Sequence, residues 1–298
     1  MTTAFRSIGF IGLGVMGEPM CRHLTTKTGL PMLGLDRDAL PLQRLASHGV
    51  VSATSLAALA QASDVVFMSL PSGEAVREVC LAEQGLLAAA RPGGVVVDLS
   101  TSPVDVTREL AAQFAARGAV FIDAPVARTR EAAQAGTLSV MVGATPEDFE
   151  RIKPLLKTFA SDLTLCGGVG TGQVVKILNN MVLFETVVAI SEAKAIGERA
   201  GVDPALLFDA MSKGSGDSFA LRNHGMKAIL LDKFPERAFS VEYARKDLAY
   251  ALRLAADTGV DARGARTVDT WFAEAIDAGE GDQYHPVVSK RIGSTRLR

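Results

Sequence analysis

A doubly wound, parallel α/β sheet followed by an all-α domain, the two joined by one long helix, is the fold class this sequence predicts. Three observations lead to it. Up to about residue 166, short Val/Ile/Leu-rich runs alternate with Ala-rich stretches, the pattern of strands buried on both faces and covered by helices. From Gln173 to Ala200 there is no proline and little charge, which reads as one helix of roughly 28 residues, some 42 Å long. After that run no strand signal is strong.

In chain order the strand candidates are SIGFIG, MLGLD, DVVFMSL, GVVVDLS, AVFIDAP, TLSVMVG and DLTLC. Each is a short apolar run bounded by turn or cap residues. Within the long helix the only charge between Ile177 and Ile190 is Glu185, so the helix is expected to be buried nearly all round. One subunit's second domain would not cover so apolar a helix, and a homodimer or homotetramer is expected. The segments GVDP, KGSGDS, LDKFPE and DTGVDARG then supply breaks between further helices. The expected domains are residues 1–167, the sheet, and residues 168–298, all helical.

The chain has 298 residues, 48% of them hydrophobic, and a formal net charge of −2. It is long enough for a large core, and without a basic block it suggests neither nucleic acid nor a membrane surface as partner. A small molecule is the expected partner. Cys21, Cys80 and Cys166 are widely spaced in apolar surroundings and read as buried small hydrophobes, with no metal-ligand spacing. The N-terminal MTTAFRSIGF enters an apolar strand within about six residues, leaving no room for a signal peptide, and no apolar run reaches the ~18 residues of a membrane span. A cytoplasmic location is expected.

The stretch GFIGLGVMGEPM runs a strand into Gly12-Leu13-Gly14-Val15-Met16-Gly17 and then a helix. Gly12 permits the tight turn, Gly14 lets a pyrophosphate approach the backbone, and Gly17 lets helix and strand pack closely. Asp36 ends the next strand, 19 residues past Gly17. There its carboxylate accepts hydrogen bonds from ribose hydroxyls, and the whole is a Rossmann-type dinucleotide signature. Asp36 favours NAD over NADP, whereas the neighbouring Arg37 could greet a 2′-phosphate. Other strand ends face the same crevice: Ser69-Leu70-Pro71-Ser72, and Ser100-Thr101-Ser102-Pro103. Ser102-Pro103 reads as a helix cap with proline at the first helical position, leaving Ser100 and Thr101 to meet cofactor or substrate.

The long helix opens GVGTGQVVKILNNMV, with Lys176 and Asn180 four residues apart beside Gln173 and hence on one face. The bland account makes Lys176 a surface lysine with a packed stem and Asn179-Asn180 a packing pair. Against it, the helix begins where the sheet domain ends.

Taken as an ordered set, GFIGLGVMG, MSLPSG, DLSTSP, DAPV with GTLSVMVG, GTGQVVKILNN and RKDLAYAL resemble the β-hydroxyacid dehydrogenase family over nearly the whole chain. The resemblance implies nicotinamide-dependent oxidation of a 3-hydroxy acid or reduction of its semialdehyde. It makes Lys176 catalytic, Asn180 the substrate-positioning asparagine, and Lys246 a lysine near cofactor and substrate. Reduction puts negative charge on the substrate oxygen, which an ammonium can stabilise and protonate. Oxidation needs that group to accept a proton, which its apolar neighbours Val174, Val175, Ile177 and Leu178 favour by desolvation.

One loop departs from the pattern. Where the family has DAPV followed by Ser-Gly-Gly, this chain has Ala127-Arg128-Thr129. A guanidinium suits an anion with several oxygens, and a related departure is associated with 3-sulfolactaldehyde reductase. Arg128 and Thr129, helped by Asn179, Asn180 and Thr101, are therefore expected to bind the anionic end of the substrate, for which a sulfonate is one candidate. The alternatives are a carboxylate substrate, as in 3-hydroxyisobutyrate dehydrogenase or tartronate semialdehyde reductase, with Arg128 paired to a local carboxylate such as Glu131. Arg130 and Glu131 could form an ordinary exposed ion pair. Ser215, Ser218, Phe219, Arg222, Asn223 and His224 follow a Gly-rich turn and cannot be ranked, and no metal site is expected. A regulator that binds NAD(H) without turnover is the alternative of another class, and it has no use for a buried acid-base lysine.

Overall fold

The computed structural model describes residues 5–236 and 238–294. They pack as two compact units, divided within one helix between Lys176 and Ile177.

The first unit alternates strands and helices in the expected way. Its elements are β1 (Ile8–Ile11), α1 (Gly17–Thr28), β2 (Met32–Leu35), α2 (Ala39–Ala46), β3 (Val50–Ser52), α3 (Leu56–Ala62), β4 (Val65–Met68), α4 (Gly73–Leu81), β5 (Val95–Asp98), α5 (Val104–Ala115) and β6 (Val120–Asp123). There follow β7 (Val126–Ala127), α6 (Arg130–Ala135), β8 (Leu138–Gly143), α7 (Pro146–Leu156) and β9 (Ala160–Gly167).

The sheet order is β3-β2-β1-β4-β5-β6-β8-β7, with β9 beside β8. Strands β1 to β6 are parallel, but β8 runs antiparallel to β6 and β7. The sheet is therefore parallel-dominated rather than wholly parallel. Strands β3 and β7 have three and two residues, too short for alternation to reveal them. In the centre, β1, β4 and β5 are buried along their full length, because helices cover both faces. One face packs Phe10 against Phe67 at 6.2 Å and Phe67 edge-on to Phe159 at 6.4 Å; cutting Phe67 to alanine is expected to cost about 3–5 kcal/mol.

The long helix is α8 (Thr171–Arg199). After it come α9 (Pro204–Ser212), a π-helix (Leu221–Ile229), α10 (Val241–Asp257), α11 (Arg263–Asp277), a 3-10 turn (His285–Val287) and α12 (Val288–Ser294). The segments expected to break helices do fall between these elements. The second unit's core joins Phe184, Val187 and Ile190 of α8 to Phe208, Leu221, Val241, Leu248, Val268, Phe272 and Val288. Full burial of α8 is not observed in one chain: Val175, Leu178, Val182 and Ile196 are exposed. By length and composition α8 could also cross a membrane, which corrects the reading that no segment is apolar enough; the polar residues within it break the run without lowering the average much.

The three cysteines are unbridged, and Cys166 is only partly buried, unlike its expected core position, because β9 lies at the sheet's edge beside β8 alone. Burial pushes the Cys21 thiol up to about 12, which makes it chemically quiet.

Candidate active site

The loop after β1 has the shape of a cradle. Gly12 has φ 85°, and a Cβ there would lie 2.3 Å from the Ser69 carbonyl oxygen. A Cβ on Gly17 would lie 1.9 Å from the Gly12 carbonyl oxygen, whereas one on Gly14 would meet nothing within 4 Å. Side chains are thus excluded at two positions by the fold itself, and the third opens on space that a diphosphate can fill. The α1 helix starts at Gly17, and its cap residue Met16 makes no side-chain capping bond, leaving the helix N-terminus suited to phosphate charge. Val15 is exposed beside it.

Asp36 supports this loop from the end of β2. Its carboxylate accepts the Leu13 and Asp38 backbone N–H groups, and a carboxylate has acceptor sites remaining for ribose hydroxyls. Arg37 pairs with Glu78 at 3.1 Å on an exposed surface. Leu70 N–H donates to Ser100 Oγ at 2.9 Å, tying the loop after β4, with its exposed Pro71, to the loop after β5. These residues fit a dinucleotide.

The root of α8 is built on two aspartates. Asp98 and Asp123 close β5 and β6 as register partners, and both are wholly buried. Asp123 accepts Gly170 N–H at 2.7 Å and Gln173 N–H at 2.8 Å. Asp98 accepts Ser100 N–H at 2.9 Å and the Ser102 hydroxyl at 3.0 Å. Burial raises both carboxyls to about 6, against the lowering effect of these hydrogen bonds. Ser102 is therefore no helix cap: Pro103 holds that position without a side-chain bond, and the Ser102 hydroxyl goes to the more demanding buried acceptor. Gln173, fully buried, takes Ser102 N–H at 3.0 Å and gives Nε2–H to Ser100 O at 2.8 Å. Thr101 lies between them, 9% exposed, and Lys176, also 9% exposed, stands three residues along α8 from Gln173.

In the second unit, Asn180 is 2% exposed and donates Nδ2–H to Asp247 at 2.8 Å. Its Oδ1 accepts from Asn179 at 3.2 Å. Lys246 reaches Asp247 at 3.1 Å and sits 3.9 Å from the Tyr243 ring centroid. Asp247 thus orients Asn180 through a hydrogen bond, whereas Lys246, its neighbour in the chain, makes an ion-pair contact with it.

Arg128 has φ 89°, a conformation unusual for any residue with a Cβ. Its Nη1 donates to Thr137 O at 2.6 Å and Ser161 Oγ at 2.8 Å, and Nη2 meets Asp162 at 2.6 Å. The local carboxylate is Asp162 on β9, not Glu131, because Arg128 stands at the end of β7 and points along the sheet. Thr129 caps α6, its hydroxyl accepting Ala132 N–H. Of the unranked residues, Ser218 accepts Leu221 N–H at 3.0 Å, Arg222 pairs with Asp217, and Asn223 donates to Phe219 O at 3.1 Å. His224 bonds Tyr284. Among the described residues no group of three His, Cys, Asp or Glu could hold a metal ion.

Residues 7–168 match the NAD binding domain of 6-phosphogluconate dehydrogenase, and residues 170–291 match the family described as NAD-binding of NADP-dependent 3-hydroxyisobutyrate dehydrogenase. The chain is 36% identical to 2-hydroxy-3-oxopropionate reductase of Escherichia coli, over 83% of this chain and 84% of that protein. It is 35% identical to 2-(hydroxymethyl)glutarate dehydrogenase of Eubacterium barkeri, over 82% of this chain and 81% of that one. The chain belongs to the β-hydroxyacid dehydrogenase family. The structure of 3-hydroxyisobutyrate dehydrogenase from Mycobacterium tuberculosis agrees, with TM-score 0.88 and 32% identity over 98% of this chain and 99% of that one.

As a β-hydroxyacid dehydrogenase the protein is an NAD(P)-dependent oxidoreductase. For this dehydrogenase, sequence reasoning did not single out Asp98, Asp123 or Asp247. The first two carried a signal: an aspartate closes the same apolar four-residue pattern on two successive strands, where an uncharged turn residue would serve a mere connector. Asp247 stood within RKDLAYAL, but its neighbour Lys246 drew the attention there, since one acid on an amphipathic helix is ordinary.

Proposed function

We propose that this dehydrogenase interconverts a short 3-hydroxy acid bearing an anionic tail and the corresponding semialdehyde, using NAD(H) in preference to NADP(H). The observation that carries the reading is the buried Lys176 on the first turns of a helix anchored to the loops after β5 and β6. Ligands of open parallel sheets bind at those strand ends. The bound nicotinamide supplies or accepts the hydride. Lys176 stabilises the negative charge that gathers on the substrate oxygen during reduction and protonates it; in oxidation its neutral amine takes the hydroxyl proton. Asn180, one helical turn on and held by Asp247, orients the substrate with its neighbour Asn179.

The coenzyme preference rests on Asp36, a carboxylate where a 2′-phosphate would sit, and on Arg37 being paired with Glu78. Leu70 and Pro71 are proposed to line the coenzyme with the glycine loop. The exposed apolar residues of α8 support a homo-oligomer, and a cytoplasmic location fits a coenzyme drawn from the cell interior.

A carboxylate is the favoured anion, since three of the five Arg128 N–H donors are engaged by Thr137, Ser161 and Asp162. A sulfonate is the second reading. It is favoured by the left-handed φ of Arg128, because strained loop residues gather at ligand sites. The test is NADH oxidation against tartronate semialdehyde, methylmalonate semialdehyde, succinate semialdehyde and sulfolactaldehyde. Preference for a carboxylate is expected; preference for the sulfonate would move its anion to Arg128, and turnover of none would sink the semialdehyde reading.

A further inference from the structure

A buried, hydrogen-bonded polar cluster of the first unit lies at the start of α8. Asp123 is 0% exposed, and each of its oxygens takes one N–H of the helix start, from Gly170 and Gln173. The surroundings are shaped around this carboxylate: a Cβ on Gly143 would lie 2.3 Å from it, and one on Gly172 2.8 Å. Gln173, also 0% exposed, joins the same turn to the Ser100–Ser102 backbone with both ends of its amide. Asp98 holds that backbone from the other side.

Burying two carboxylates on neighbouring strands is a poor way to gain stability, since apolar or amide replacements avoid the desolvation. What the arrangement gains is definition. A helix start with its N–H groups bonded to a fixed carboxylate cannot slide or rotate, and the side chain three residues beyond Gln173, on the same face, is Lys176.

We propose that Asp123 and Gln173 are positioning residues for the reaction, fixing the first turn of α8 on the loops after β5 and β6 so that the Lys176 ammonium meets the substrate oxygen. This rests on the proton-transfer reading of Lys176. Asp123 acts through two backbone N–H groups, and Gln173 through a two-sided amide bridge; neither touches substrate.

The test is a double-mutant cycle in the full chain. Asp123→Asn keeps the shape but sets an amide NH2 against a backbone N–H, so one of the two bonds is lost. Its kcat is expected to fall about 10- to 100-fold with NADH KM unchanged, a loss of order 1.4–2.8 kcal/mol in transition-state stabilisation. In the Lys176→Ala background, Asp123→Asn is expected to lower kcat less than about 2-fold further, because the group being positioned is gone. Gln173→Met, similar in length but without the bridge, is expected to behave in the same way and serves if the aspartate variant fails to fold. Unchanged kcat in both single variants, or losses that multiply independently in the double variants, would overturn the positioning role while leaving Lys176 its own. Full activity of Lys176→Ala would overturn the proton-transfer reading itself, and the positioning role with it.

Discussion

Lys176, Gly14 and Arg128 make the sharpest statements about single residues. A positioned proton donor contributes about 10²- to 10⁴-fold, so Lys176→Ala is expected to lose that much in kcat while NADH binding, followed by fluorescence quenching, stays within about 3-fold. A loss of coenzyme binding in step with kcat would mean that Lys176 serves the nucleotide instead. Gly14→Val places its side chain in open space, so coenzyme binding is expected to vanish with Tm nearly unchanged. The same change at Gly17, where a Cβ would strike the Gly12 carbonyl, is expected to unfold the loop; equal Tm losses at both sites would refute the cradle. Arg128→Gly relieves a left-handed φ but gives up the bonds to Thr137, Ser161 and Asp162. Carboxylate KM is expected to change less than about 3-fold if those bonds are its role, and a much larger rise would restore the anion clamp. The Gly12–Gly17 motif was legible because its geometry is local. Arg128's partner was not, because Asp162 is 34 residues away and only strand pairing brings it near.

Among the elements, α8 does most to join sequence to chemistry. Its 29 residues follow from a proline-free apolar run, and its inner side packs Phe184, Val187, Val188 and Ile190 into the second unit's core. Its outer apolar residues, Val175, Leu178 and Val182, recur at spacings of three and four and stay exposed, as a stripe awaiting a partner would. Light scattering is expected to report a mass above the monomer's 31.4 kDa, and Val182→Glu to lower it toward that value. A wild-type monomer would end the oligomer reading. The strand β8 shows the opposite case: its apolar alternation was plain in TLSVMVG, but its antiparallel direction depends on the short turn of chain through β7 and α6, which periodicity does not encode.

At the scale of the whole molecule, the buried ionisable groups of the two units respond to acid in opposite senses. In the first unit, Asp98 and Asp123 are raised to about 6 from 3.8, mainly by burial. Their protonation favours the folded chain, so the stability they contribute is full below about 3.8 and is lost as pH rises through about 6. In the second unit, burial lowers His224 to about 4, with Lys227 adding to it, and lowers His285 well below its ordinary 6.5, with His224 adding to it. Both remain neutral when folded but take up protons when unfolded, so that contribution is present above about 6.5 and is lost as pH falls toward 4. His285 sits among Phe184, Phe239 and Phe272, and among the described residues neither ring nitrogen has a hydrogen-bond partner, which makes its protonation costly. Between pH 7.5 and 5, amide protection factors, which take out the intrinsic pH dependence of exchange, are therefore expected to fall in the π-helix and α10 while β5 and β6 hold theirs. Earlier loss in β5 and β6 would contradict the assignment.

By itself the sequence determined what repeats at short range: the strand and helix alternation, the glycine loop with Asp36, the length of α8, and the spacing that sets Lys176 and Asn180 on one face. Those features depend on local backbone geometry and on the period of apolar side chains. Only the tertiary structure decided that Asp123 and Gln173 anchor α8, that Asp247 holds Asn180, that Ser102 serves Asp98 rather than a helix, and that Arg128 lies on Asp162. The contacts of Asp123, of Asp247 with Asn180 and of Arg128 with Asp162 join residues 34 or more apart in sequence, whereas Ser102 and Asp98 are only four apart; a buried polar group takes its partner from whatever the fold brings within hydrogen-bond reach.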